Sequence, residues 1–189
     1  MEIILTSTLV VALAEIGDKT MLLAIVLASR FRKPLPIITG IFFATIANHA
    51  LAAWAGSAIA GLLDGQWFRI AVAIGFLAMA AWTLVPDRFE DDDGRRDRSR
   101  RGAFLTTLIS FFLVEIGDKT QVTTVALGAH YHSVALVAIG TTLGMMLANV
   151  PAVFLGDRIT RLVPLNIVRM AAAAIFAGLG LWGLIEALT

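Results

Sequence analysis

The sequence predicts an all-α membrane protein of six transmembrane helices, arranged as two inverted three-helix repeats. Three observations carry that expectation. Of 189 residues, 58% are hydrophobic and only 15% charged, against about half and about a quarter in soluble domains; mean hydropathy is +0.84. The charged residues divide the chain into six apolar segments. The hexapeptide EIGDKT occurs twice, at Glu15–Thr20 and at Glu115–Thr120.

The segments follow in order. Helix 1 lies between Glu2 and Arg30 and is interrupted by Glu15, Asp18 and Lys19. Helix 2 lies between Pro34 and Asp64 and carries one histidine, His49, and no full charge. Helix 3 runs from Arg69 to Asp87. Helix 4 runs from Gly102 to about Ala129, interrupted by Glu115, Asp118 and Lys119. Helix 5 spans Ser133 to Gly156 without a charge, and helix 6 spans Arg169 to Glu186. A bilayer core takes about 17–25 apolar residues. The two shorter segments can be completed by Arg69 and Arg169 snorkelling at their starts and by Trp82 and Trp182 anchoring their ends. Ala- and Leu-rich segments without period-two alternation argue against strands. The first stretch has no basic leader, and reads as a retained transmembrane helix rather than a signal peptide.

Orientation follows from the arginines. Arg30, Arg32 and Lys33, then Arg88, Arg95, Arg96, Arg98, Arg100 and Arg101, then Arg158 and Arg161 all fall on one side. That side is expected to be cytoplasmic, with both termini outside the cytoplasm. A net charge of +1 gives no field for nucleic acid, and the absence of cysteine removes thiolate metal chemistry.

The two EIGDKT copies stand 100 residues apart, and Gly40/Gly140, Gly56/Gly156, Phe76/Phe176 and Trp82/Trp182 keep that offset. Ala47-Asn48 matches Ala148-Asn149 with a one-residue slip. The expected organisation is therefore a first three-helix repeat at 1–86, a charged cytoplasmic linker at 87–102 and a second repeat at 103–189. Three helices per unit make the second unit enter from the opposite face, as in many secondary transporters. The linker holds six arginines and six acids. It reads as a solvated connection, with cation sensing by Asp91, Asp92 and Asp93 as the alternative.

The duplicated motif carries the chemistry. An isolated charge at a helix centre costs about 2.5–3.5 kcal/mol, so six cost on the order of 15–20 kcal/mol. Glu15 and Asp18, three apart, are expected to share a helix face with Lys19, and Glu115, Asp118 and Lys119 repeat the pattern. Gly17 loosens the helix inside the motif. Four carboxylates meeting at the midplane form a site of hard oxygens, suited to manganese, calcium or magnesium. Thr20, Asn48, Thr120, Gln121 and Asn149 are possible additional ligands, with Lys19 and Lys119 as charge partners. Four acids and two lysines leave a charge of −2, which one divalent cation or two protons neutralise. The competing reading makes Glu15–Lys19 and Glu115–Lys119 internal ion pairs that only tie helices together. His49 reads as a hydrogen-bonded packing residue, with a proton relay as the alternative. His130 and His132 read as solvated loop residues, and Pro151 as a bend in helix 5.

At these residues the chain resembles the Gdt-type family of cation/proton exchangers, whose hallmark is a duplicated Glu-x-Gly-Asp-Lys/Arg-Thr/Ser motif. The resemblance takes in both EIGDKT copies, RFRKP at Arg30–Pro34, ANHALAA at Ala47–Ala53 and GTTLGMMLANVPAV at Gly140–Val153. It implies six helices, divalent cation transport rather than enzymatic catalysis, no cofactor, and Glu15, Asp18, Glu115 and Asp118 as the metal site. The second motif continues into Gln121 and the first into Met21, so the half-sites are unequal if that Gln is a ligand. Similarity to bacterial members implies a bacterial inner membrane and manganese efflux from the cytoplasm coupled to protons. The expected partners are a divalent metal ion, protons, the lipid bilayer and a possible second copy of the chain, with no nucleic acid. The alternatives are a calcium/proton antiporter, a proton-coupled small-metabolite exporter, and a membrane scaffold that transports nothing.

Overall fold

Both EIGDKT copies interrupt their helices. Gly17 and Gly117 adopt φ of +85° and +76°, a left-handed conformation that costs glycine little and other residues more. The next residues, Asp18 and Asp118, are extended, with φ/ψ of −86°/173° and −79°/163°, and each caps a new helix. The expected first and fourth helices are therefore each two half-helices. This corrects the shared-face argument: Glu15 closes one helix while Asp18 precedes the next.

The computed structural model describes residues 1–62, 66–84, 100–155 and 165–188. Among them are eight α-helices and no strand: α1 (Glu2–Glu15), α2 (Lys19–Phe31), α3 (Pro34–Leu62), α4 (Gln66–Thr83), α5 (Arg100–Glu115), α6 (Lys119–Tyr131), α7 (Val134–Leu155) and α8 (Leu165–Leu188). Two stretches, Pro34–Ala60 and Val134–Leu155, are long and apolar enough alone to cross a membrane. Most of the charged linker lies outside the described residues, as do Asp91, Asp92 and Asp93, together with Asp64, Gly156, Arg158 and Arg161. Arg100, Arg101 and Gly102, read from sequence as the end of the linker, open α5.

α2 and α6 terminate alike. Arg32 and His132 take φ of 52° and 50°, and their N–H groups donate back to the Ala28 and Gly128 carbonyls at 2.9 and 3.0 Å. This left-handed cap satisfies a carbonyl of the last turn. Pro34 then opens α3, where its missing N–H costs nothing.

The first helix of each half packs on the long helix of the other: α1 on α7, and α5 on α3. A methyl group at Gly40 would sit 2.9 Å from the Phe104 carbonyl oxygen, and one at Gly140 would sit 2.8 Å from that of Ile4. Both contacts keep the 100-residue offset. α3 also packs on α6, and α4 packs on α8. Apolar side chains fill two buried clusters, one including Leu27, Ile37, Ile41 and Phe111, the other Phe76, Leu127, Val137 and Phe176.

The surface inverts the arrangement of a soluble protein. Leu5, Leu9, Phe43, Leu51, Trp54, Leu113, Leu147, Phe154, Ile167, Trp182 and Ile185 are exposed, while Glu15, Asp18, His49, Glu115, Asp118 and Lys119 are buried. So extensive an apolar exterior fits hydrocarbon rather than water.

Gly56 gives the tightest helix approach: a Cβ there would lie 2.0 Å from the Val125 carbonyl oxygen. Gly56→Val is expected to force α3 from α6 and destabilise the protein by about 1–3 kcal/mol. Gly75→Ala, where nothing lies within 4 Å, is the control and should leave the melting temperature in detergent unchanged or slightly raised. Equal melting of the two variants would contradict the α3–α6 packing.

Candidate metal site

Three of the four predicted carboxylates meet. One ligand oxygen each from Glu15, Asp18 and Asp118 lies within 4.8 Å of the others. Glu15 is fully buried, Asp18 is 5% exposed and Asp118 2%. The helix breaks make this possible. They bring the C-terminus of α1 and the N-terminus of α2 to the N-terminus of α6, so acids from both halves share one place. Glu115, at the C-terminus of α5, lies outside that group but within electrostatic reach of Glu15 and Asp118. Such a set of oxygens can hold one hard divalent cation.

The ion pair of Lys19 crosses between the motifs. Lys19 Nζ lies 2.7 Å from Asp118 Oδ1, an ion pair that joins the two halves. Lys119 is buried, and its Nζ lies 5.9 Å above the Trp82 ring, a cation–π distance. Trp82, expected to anchor a helix end, thus also holds the motif lysine Lys119.

The possible additional ligands separate into groups. The Thr120 hydroxyl donates to Asp118 Oδ2 at 3.1 Å and orients it. Thr20 is fully buried beside the first motif. Asn149 lies beside Glu15, while its amide nitrogen donates to the Met145 carbonyl at 3.1 Å. Asn48 lies beside Glu115 and donates to the Phe112 carbonyl at 3.0 Å. Each asparagine therefore has its amide nitrogen donating to a backbone carbonyl and its side chain beside a motif glutamate. Gln121 is used differently: its Oε1 accepts from the Gly117 N–H at 2.7 Å, which steadies the helix break.

Two residues of α3 complete the surroundings of Glu115. The Thr45 hydroxyl donates to Glu115 Oε1 at 3.2 Å, and His49 Nε2 lies 3.7 Å from Glu115 Oε2. Neither ring nitrogen of His49 has a hydrogen-bond partner among the described residues, so it is not the hydrogen-bonded packing residue expected. Thr45 was not singled out from sequence. The available signal was the polar stripe Thr45, Asn48 and His49, at i, i+3 and i+4 on an otherwise apolar helix.

His130 and His132 are exposed, as expected, at the end of α6. With Arg69, Tyr131, Trp182 and Glu186 they line a cavity of about 290 Å³ between the ends of α4, α6 and α8. None of the motif carboxylates lines it.

Comparison with known proteins gives the family. The family profile described as divalent cation/proton antiporter GDT1 matches residues 3–91 and 103–189. The chain belongs to the GDT1 family. This is a family of membrane transporters, not of enzymes. A Vibrio cholerae protein named "Putative manganese exporter" is 49% identical over 177 residues, covering 93% of this chain and 87% of that protein. A GDT1-like protein 4 of Oryza sativa subsp. indica is 26% identical, covering 90% of this chain and 69% of its own length. A GDT1-like protein 5 of Arabidopsis thaliana is 24% identical, covering 92% and 91%. No solved structure matches the chain at a significant level. The two matched stretches leave out residues 92–102, the greater part of the charged linker.

The Lys19–Asp118 pair generates a stability prediction. Removing one partner of a buried ion pair costs about 3–5 kcal/mol. Lys19 retains 25% side-chain exposure, so Asp118→Asn is expected to cost about 3 kcal/mol, near the lower end of that range. Adding Lys19→Met should restore part of the loss, as read by thermal unfolding in detergent without added metal. A double variant no more stable than the single one would count against the pair as the tie between halves.

Proposed function

We propose that this chain exports manganese from a bacterial cytoplasm in exchange for protons, and that Glu15, Asp18, Glu115 and Asp118 bind the ion during transit. The observation that carries the reading is the meeting of Glu15 and Asp18 with Asp118, acids from both copies of the repeated motif. Family membership supports divalent cation/proton antiport, and the 49% identical relative's name supports manganese as cargo.

The structure the mechanism requires is six membrane crossings, in two inverted three-helix halves. α1 with α2 makes one crossing and α5 with α6 another; α3, α4, α7 and α8 make the rest. Broken helices at membrane depth are tolerated where the freed backbone lines a buried polar site. In this reading the arginine-rich side is cytoplasmic and both termini lie outside. Interlocking of α1 with α7 and of α5 with α3 ties each half to the other, so tilting one bundle opens the site to one side and closes it to the other. The Lys19–Asp118 contact lies between the halves and must rearrange when an ion enters.

Exchange follows from charge. Four carboxylates with two lysines carry −2, which one divalent cation or two protons cancel. Crossing the bilayer with the site near neutrality avoids the cost of moving net charge through hydrocarbon. An ion and a pair of protons then compete for the same oxygens, and each leaves as the other binds.

The experiment is metal transport into proteoliposomes with an imposed pH gradient. Wild-type protein should move Mn2+ against the proton gradient, and Glu15→Gln or Glu115→Gln should reduce the rate by at least about a hundredfold, since each removes a ligand and a charge from the site. Variants that fold, reach the membrane and still transport at the wild-type rate would remove the site assignment. Transport indifferent to the gradient would remove the exchange.

A further inference from the structure

The two half-sites have identical motifs but different surroundings. The one-residue slip that aligns Asn48 with Asn149 aligns His49 with Val150 and Thr45 with Met146. Only the first long helix therefore places an imidazole in the site. His49 is fully buried. Its Nδ1 and Nε2 lack hydrogen-bond partners among the described residues, and so does Glu115 Oε2. Nε2 and that oxygen face each other at 3.7 Å.

Packing does not account for this arrangement. A histidine retained for packing alone normally donates one ring N–H to a carbonyl or carboxylate. A hydrogen bond would draw Nε2 and Oε2 to about 2.7–3.0 Å. A metal ion held by both would instead keep them apart. A separation of 3.7 Å leaves room for one ion to be shared at ordinary metal–nitrogen and metal–oxygen distances of about 2.2 Å. Glu115 lies within electrostatic reach of Asp118 and Glu15, whose oxygens converge with that of Asp18.

We infer that His49 Nε2 is a ligand of the transported cation, sharing it with Glu115 and making the site prefer transition-metal divalent ions to calcium and magnesium. This inference rests on the carboxylates being the transport site, as proposed above. Calcium and magnesium take oxygen ligands almost without exception. A neutral imidazole adds a borderline nitrogen that first-row transition ions accept and the alkaline earths do not reward. An all-oxygen site would discriminate only by size and charge. One nitrogen among oxygens adds chemical discrimination without the soft thiolates that would trap the ion. Thr45 supports the same geometry, because its hydroxyl occupies Glu115 Oε1 and leaves Oε2 turned toward the imidazole.

The deciding measurement uses purified full-length protein loaded with Mn2+ alone and examined by pulsed electron paramagnetic resonance. Directly bound imidazole gives a 14N modulation on the manganese signal. The chain has three histidines, so a His130→Ala/His132→Ala variant assigns that modulation without touching His49. The expected result is 14N coupling in the wild type, its retention in the double variant, and its loss in His49→Gln with manganese still bound. His49→Gln is also expected to lower the ratio of Mn2+ to Ca2+ transport by about tenfold, since an amide oxygen replaces the nitrogen. Bound manganese without 14N coupling, or coupling that disappears with His130 and His132, overturns the inference while leaving the carboxylate site intact. Should His49→Gln fail to fold, the wild type and double variant still decide between these results. If Glu15→Gln and Glu115→Gln transport normally and the wild type binds no manganese, both the inference and the reading beneath it are removed.

Discussion

Everything in this molecule turns on keeping ionised groups inside an assembly whose outside is apolar. A charge at the bilayer centre costs about 2.5–3.5 kcal/mol even on permissive scales, and the motif brings six. The fold lowers that cost by bringing the groups together. Lys19 neutralises Asp118 at 2.7 Å, Lys119 rests over the Trp82 ring, and hydroxyls of Thr45 and Thr120 donate to Glu115 and Asp118. Compensation is incomplete around Glu15, whose two oxygens have no hydrogen-bond partner among the described residues. In the proposed mechanism, that incompleteness is what lets the carboxylates bind a cation.

The helix breaks are the second requirement. A continuous helix would direct Glu15 and Asp18 along one face and leave their backbone groups bonded to each other. Instead, left-handed Gly17 and Gly117 turn the chain so that Asp18 and Asp118 become helix caps. The acids then come from helix ends, where small rotations of the half-helices change their separation. Close packing at Gly40, Gly56 and Gly140 brings the long helices near enough for their polar stripes to reach the same centre. Small residues at helix contacts are how membrane bundles gain packing where hydrophobic association offers none.

The pseudo-symmetry is close in backbone and loose in side chains. Caps, breaks and glycine contacts recur at the 100-residue offset, down to the left-handed Arg32 and His132. The polar surroundings of the two glutamates do not. Glu115 meets Thr45 and His49, whereas Glu15 meets Asn149. Duplication therefore supplies the frame, and divergence on the long helices adjusts what that frame holds.

Much was legible in the sequence. Composition determined that the exterior is apolar, because 15% charge cannot coat a soluble chain of this length, and EIGDKT at residues 15 and 115 located the buried acids that converge. The all-helical class and the pairing of acids from both copies followed from those facts. Tertiary structure alone decided that each motif breaks its helix, since a glycine within a helical pattern is compatible with either outcome until neighbouring helices bind the freed ends. It also decided which lysine pairs with which acid, and that Gln121 steadies a turn. The role of His49 was hidden for the same reason: a lone histidine in an apolar helix has no partner visible along the chain, and Glu115, 66 residues away, becomes its neighbour only when α3 packs on α5.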